Sequence, residues 1–463
     1  MDANRLTRTP TSPNLRRMAR AALPAMALAI GLGLSPAQAQ SLPDALAQAY
    51  QSNPTLDAAR AQLRATNELV PQAKSGFLPT ISADGSVGRN VQKNGPNDTY
   101  WTEKSVGADI VQPIFRGGRT VASLSRAEAL VQAQRASLQA TEQSVLLAAA
   151  QAYCDVVRDE AVLALTINNE QVLKRQLEAA NDRFRVGEIT RTDVSQSESR
   201  LALSMSNRIA AEGALNASRA TFARLIGSLP QGVKQPAALT GLPASLDATI
   251  ALAEQNNPQV LAAKFSERAA DKAVDVIAGE LLPTVSVVGS YTRTWDRPGT
   301  LGDLDNGSIV ARVTIPIYEA GGTTARVREA KQTASQRRIQ VDEAVRGARE
   351  TGIRAWEALS TARASIQSRN EQVRAANIAL EGVRQEATVG SRTVLDTLDA
   401  EQELLNAQVE LVRAQRDEVV ASFQVMSAVG QLSVSSLGLA VQPYDVEAHY
   451  NSASSKIWGL SAD

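Results

Sequence analysis

Leu282-Pro283-Thr284-Val285-Ser286-Val287-Val288-Gly289-Ser290-Tyr291-Thr292 is the stretch on which the fold turns. Val285, Val287 and Tyr291 alternate with Ser286, Ser290 and Thr292, a two-residue period that gives a strand one apolar and one polar face. The pattern continues in Ile309, Ala311, Val313 and Ile315, which alternate with Ser308, Arg312 and Thr314. Earlier in the chain Ile81, Ala83 and Val87 alternate with Ser82, Asp84 and Ser86, and Val106, Ala108 and Ile110 follow. Such alternation over about ten residues marks a membrane β-barrel strand, apolar outward and polar inward; a surface hairpin gives the same pattern. Strands are expected at about 79–90, 103–113, 283–295 and 307–317, with exposed loops at 90–100 and 296–306, which are rich in Gly, Pro, Asn and Asp. Trp101 and Trp295 are expected at the lipid boundary.

Leu282-Pro283-Thr284 has an earlier copy, Leu78-Pro79-Thr80, 204 residues upstream. Asn53-Pro54 likewise recurs as Asn257-Pro258, and Pro113-Ile114-Phe115 with Gly117-Gly118 recurs as Pro316-Ile317-Tyr318 with Gly321-Gly322. Val186-Gly187 with Asp193 matches Val389-Gly390 with Asp396. Ordered landmarks at one spacing are the mark of a tandem duplication. The expected first repeat is 40–240, with a long helix at about 119–186, a turn at 187–192 and a helix at 193–227. The second is 241–432, with a long helix at about 322–388, a turn at 389–393 and a helix at 394–430, and 433–463 forms a C-terminal segment.

From 119 to 186 there is neither Gly nor Pro, enough for a helix of about 100 Å. Leu124, Val131, Leu138 and Val145 keep a seven-residue spacing, as do Leu359, Ile366, Val373 and Leu380, and then Leu398, Leu405, Val412, Val419 and Met426. Helices so long and so patterned pack against neighbours as coiled coils. In each half the two shorter helices together nearly equal the long one, so stacked end to end they lie along it. The layout is a rod.

Composition excludes much else. The 463 residues carry 48 acidic and 48 basic side chains, one cysteine (Cys154) and one histidine (His449). No intrachain disulfide, Cys-based zinc cluster or catalytic His pair is available. Residues 1–39 read as an export signal: Arg5, Arg8, Arg16, Arg17 and Arg20, an apolar run at 21–34, then Ala37-Gln38-Ala39. The remainder has 43 basic and 47 acidic groups, which argues against a nucleic-acid partner. After the signal no apolar stretch approaches 18 residues, so a membrane crossing must be made by a closed barrel. Four strands leave two unpaired edges, and three copies supply twelve strands, so a homotrimer is the simplest closure.

The duplicated Asn-Pro and Leu-Pro-Thr landmarks and the Pro-Ile-Phe/Tyr…Gly-Gly turns carry a family resemblance. So do the two helix-to-helix turns, 184–194 and 389–399. On these the chain resembles the TolC family of outer-membrane channel-tunnels of efflux and type I secretion. The resemblance implies an α+β membrane protein: long antiparallel helices in a periplasmic α-barrel, and four strands per protomer in a trimeric twelve-stranded barrel. It places a girdle at about 41–53, 228–257 and 431–463. It implies a gated exit duct with no cofactor and no catalysis, embedded in outer-membrane lipid. Its partners would be a periplasmic adaptor and an inner-membrane ABC or proton-coupled transporter. The family closes its tunnel at the periplasmic tip, a role that would fall here on Thr192, Asp193 and Arg392, with Asp396 and Asp399 forming a cation-attracting ring. Gly187 and Gly390 would form the tip turns where the adaptor docks. Ala387 departs from the family pattern, which has a tyrosine in the tip network.

Other readings stand beside these. Thr190-x-x-Asp193 and Thr393-x-x-Asp396 have the form of capping boxes. An exported adaptor, with one hairpin and flanking β domains, or an exported coiled-coil filament without barrel strands would share the helical pattern.

Overall fold

The computed structural model describes residues 40–296, 302–456 and 458–461. The export signal expected at 1–39 and part of the 296–306 loop lie outside the described residues.

Three short helices come first: α1 (Leu42–Ser52), α2 (Pro54–Asn67) and α3 (Leu69–Lys74). The strands β1 (Thr80–Asn94) and β2 (Asn97–Arg116) lead into α4 (Arg119–Arg185) and α5 (Arg191–Ile226). After an irregular connection come α6 (Leu246–Asn256) and α7 (Pro258–Ala278), β3 (Thr284–Trp295) and β4 (Leu304–Thr314). The chain continues through α8 (Gly322–Thr388) and α9 (Val394–Ala428) to α10 (Val446–Ser455). The fold is α+β, and mostly helix.

The landmarks have local physical causes. Asn53 Oδ1 accepts the N–H of Thr55 at 2.9 Å, while its amide donates to the carbonyl of Leu225 at 3.0 Å. Asn257 does the same for Gln259 at 2.9 Å and Ala428 at 3.1 Å. Each Asn therefore caps one helix and ties it to the far end of another, while the following Pro takes a first-turn position where no N–H is needed. Pro79 and Pro283 hold the preceding residue extended, which ends a one-turn 3₁₀ segment and starts β1 and β3. Gly117 makes the β2-to-α4 turn with φ +62°, and a Cβ there would come within 2.9 Å of the Leu282 Cβ. That close approach demands glycine.

The four strands form one antiparallel sheet in the order β1-β2-β3-β4. Ile81 pairs with Ile110, which lies opposite Gly289, itself opposite Ile309; the neighbouring row runs Ser82, Asp109, Ser290, Ser308. One face is thus apolar and the other polar. The apolar face is open in the single chain, with Ile309 84% and Ile81 and Val87 73% exposed. Ser86–Ser105 and Ser290–Ser308 hydroxyl pairs at 2.8 Å bridge neighbouring strands on the polar face.

Two expectations are corrected. The segment 90–100 is not a loop: β1 and β2 stay paired up to Asn94 opposite Asn97. Polar side chains hide strand continuation because alternation vanishes where both faces meet water. Trp101 lies on the polar face, opposite Asn90, and its indole N–H donates to Glu103 Oε2 at 3.3 Å. Trp295, opposite Lys104 on the other face, does lie with the apolar row of Val87.

The principal core sits about midway along α4. Leu146, Tyr153 and Val156 of α4 meet Leu46 of α1, Leu56 and Leu63 of α2, Phe222 of α5 and Phe423 of α9. Leu432, Val434 and Leu439 of the C-terminal connection close over it. Tyr153 donates to the carbonyl of Gln40 at 2.8 Å and accepts the N–H of Lys234 at 3.0 Å, pinning both the start of the described chain and the 227–245 connection. Among the described residues no helix is long and apolar enough to cross a membrane.

Candidate functional site at the hairpin turns

α4 and α5 form one antiparallel hairpin, α8 and α9 another, and the two turns hold the residues expected to act. Gly187 (φ +80°) and Gly390 (φ +81°) end the long helices in the left-handed conformation. The Ser391 N–H then donates to the carbonyl of Glu386 at 3.0 Å, and the Glu188 N–H to that of Arg183 at 2.9 Å.

The returning helices begin with matched caps. Asp193 Oδ2 accepts the Thr190 N–H at 2.9 Å and its hydroxyl at 2.7 Å. Asp396 Oδ2 accepts the same two groups of Thr393 at 2.9 and 2.8 Å. Both carboxyls lie below their ordinary range. The Thr190 hydroxyl is the leading cause for Asp193, and the Thr393 backbone N–H for Asp396. Capping is therefore what Asp193 and Asp396 do within the protomer.

Arg392 reaches Glu386 at 2.8 Å and Asp396 at 4.0 Å, and the Glu386 carboxylate raises its pKa. No hydrogen bond or ion pair among the described residues joins Arg392 to Asp193 or Thr192, so within one protomer the three do not meet. Asp399, one helical turn after Asp396, pairs with Arg200 of α5 at 2.5 Å, linking the two hairpins. A seven-per-cent-exposed carboxylate, Glu401, pairs with Arg384 of α8. The sequence carried a signal for Glu401, a charge at i+3 on the Leu398–Leu405 stripe. It carried none for Arg200, which is 199 residues from its partner.

Ala387 lines a cavity of about 380 Å³ with Gln176, Arg183, Glu188, Arg384 and Thr397. The cavity opens where α4 of the first hairpin faces α8 and α9 of the second. Arg183 and Glu188 pair across its edge at 2.6 Å, which holds the Glu188 carboxyl below its usual range.

Two long hairpins continuing from a sheet with one open apolar face define a channel protomer of the outer membrane. The chain belongs to the outer membrane efflux protein family, whose pattern it matches twice, at residues 45–228 and 249–431. It is similar to the outer membrane efflux protein BepC of Brucella suis, 36% identical over 425 residues that cover 92% of each chain. It is also similar to the outer membrane protein TolC of Vibrio cholerae, 26% identical over 88% of this chain and 94% of the relative. The fold matches the crystal structure of the Campylobacter jejuni CmeC outer membrane channel with a TM-score of 0.77, covering 89% of each chain at 17% identity. The expected TolC-family resemblance and outer-membrane location hold.

Proposed function

We propose that three copies of this chain form a gated exit duct that conducts cargo from an inner-membrane transporter through the periplasm and across the outer membrane. The observation that carries this reading is the sheet. Its outer strands, β1 and β4, each have one unpaired edge, and its apolar face is open to solvent in the single chain. Hydrocarbon covers such a face but tolerates no open edge, so the sheet must close on further copies, and three give twelve strands. The polar face then lines the lumen. The two family matches on one chain support descent from a duplicated unit, with one hairpin from each half in the tunnel wall.

The duct catalyses no reaction and needs no cofactor. Its energy comes from partners: a periplasmic adaptor docking near the Gly187 and Gly390 turns, and an ABC or proton-coupled transporter in the inner membrane. In the trimer, Thr192 and Asp193 of one protomer meet Arg392 of the next and narrow the tip, in competition with the pairing of Arg392 to Glu386, while Asp396 and Asp399 set out six carboxylates about one axis.

The test is the oligomer mass and planar-bilayer conductance of protein extracted from outer membrane. A trimer with a small, discrete, cation-preferring conductance is expected; a monomer that conducts nothing overturns the reading.

A further inference from the structure

The end of the described chain emerges where the strands begin. α10 runs beside α2 and α3: the Asn67 amide lies 3.2 Å from His449 Nδ1, and Lys74 Nζ donates to the Ser454 carbonyl at 3.0 Å. Lys74 is the last residue of α3, and β1 starts at Thr80. α10 therefore climbs toward the sheet, and the segment after Ser455 leaves it at the base of the strands. In that segment Trp458 and Leu460 are wholly open, 96% and 105% exposed. Lys456 Nζ donates to the Ser461 carbonyl at 3.2 Å.

The surroundings name what covers them. Phe77 and Leu78 below β1, Leu282 below β3, and Phe115 at the end of β2 are all exposed apolar residues at this level. Beneath β4, Tyr318 is 86% exposed. An apolar belt with aromatic members at the foot of a membrane sheet lies at the boundary between hydrocarbon and headgroups. Trp is the side chain best suited to that boundary, and Lys74 and Lys456 bring positive charge to where lipid phosphates lie.

Resting on the sheet being membrane-spanning, we propose that Trp458 and Leu460 insert into the periplasm-facing leaflet of phospholipid and give each protomer a second hold on the bilayer beside its strands. A neighbouring copy is the competing occupant, and the response to nitroxide lipids separates it from phospholipid.

The experiment uses the full mature chain in nanodiscs of phosphatidylethanolamine and phosphatidylglycerol, some lipids carrying a nitroxide at a shallow or a deep acyl position. There are four tryptophans, and single-Trp variants retain one while the others become Phe. Trp458 alone should lose at least half its fluorescence to the shallow nitroxide and less to the deep one. Trp295, on the apolar sheet face, should be quenched as well, and Trp356, within α8, should not. Quenching of Trp295 but not Trp458 overturns the tail insertion and leaves the barrel standing. If neither is quenched, the membrane reading of the sheet fails, and the tail insertion with it. A Trp458 emission already blue-shifted in detergent and indifferent to nitroxide lipids would mean that protein covers it, which also overturns the proposal.

Discussion

Helix capping is what the structure shows Asp193 and Asp396 doing, whatever further role the proposed duct gives them. Each accepts two hydrogen bonds from the threonine three residues before it, and each has its pKa lowered by them. A lowered pKa sets the sign: the contribution is fully present above the unfolded value of 3.8 and is lost as pH falls through the lower folded value. Amide exchange in the first turns of α5 and α9 should therefore be unchanged, after correction for intrinsic rates, between pH 7 and 5. Below 3.8 it should accelerate. Loss of protection already at pH 6 would show that another group holds the turns. The capping pattern was legible at this scale because it is written within four residues, Thr190 to Asp193 and Thr393 to Asp396. The Arg200–Asp399 pair was not, because it exists only once two hairpins have packed together.

An element succeeds or fails at its ends, because the interiors of α4 and α8 are long repeats of the same contact. At 67 residues each, these helices are far longer than a nucleus needs, and their stability comes from the stripe packed on neighbours. The termini carry the specificity. Thr190→Ala removes the hydroxyl that accepts the Asp193 N–H at 3.3 Å and donates to its carboxylate. Such a cap is worth about 1 kcal/mol, so exchange in the first turn of α5 should rise about fivefold while the mid-helix core is unmoved. A uniform rise along α5 would refute a local role. Helix lengths and heptads were readable from absent breakers and seven-residue spacing. Strand ends were not, since the alternation that marks β1 and β2 stops at about Asn90 although pairing continues to Asn94. Aromatic character alone does not report which face Trp101 takes, whereas its register opposite Asn90 does.

For the whole molecule, the proposed trimer poses the question of how Asp396 and Asp399 act on cations when each has a partner in its own protomer. Asp399 is held by Arg200 at 2.5 Å, and Asp396 lies 4.0 Å from Arg392 and keeps its cap. A multivalent cation entering the tip must compete with these guanidinium groups. An exposed pair is worth at most about 1 kcal/mol, so the competition is mild and open to test. Arg200→Ala should free Asp399 and strengthen block by a trivalent cation up to about fivefold, read as a lower blocking concentration in bilayer recordings. The double variant Asp396→Asn with Asp399→Asn should abolish block. Thr393→Ala, which removes the cap but leaves the charge, should retain it. Should the double variant block like the parent, the ring lies elsewhere; should Arg200→Ala weaken block instead, its role is to hold α5 against α9 and so keep Asp399 aimed at the axis. The three variants together separate charge, cap and scaffold, which neither the spacing of the acids nor their geometry in one protomer can do.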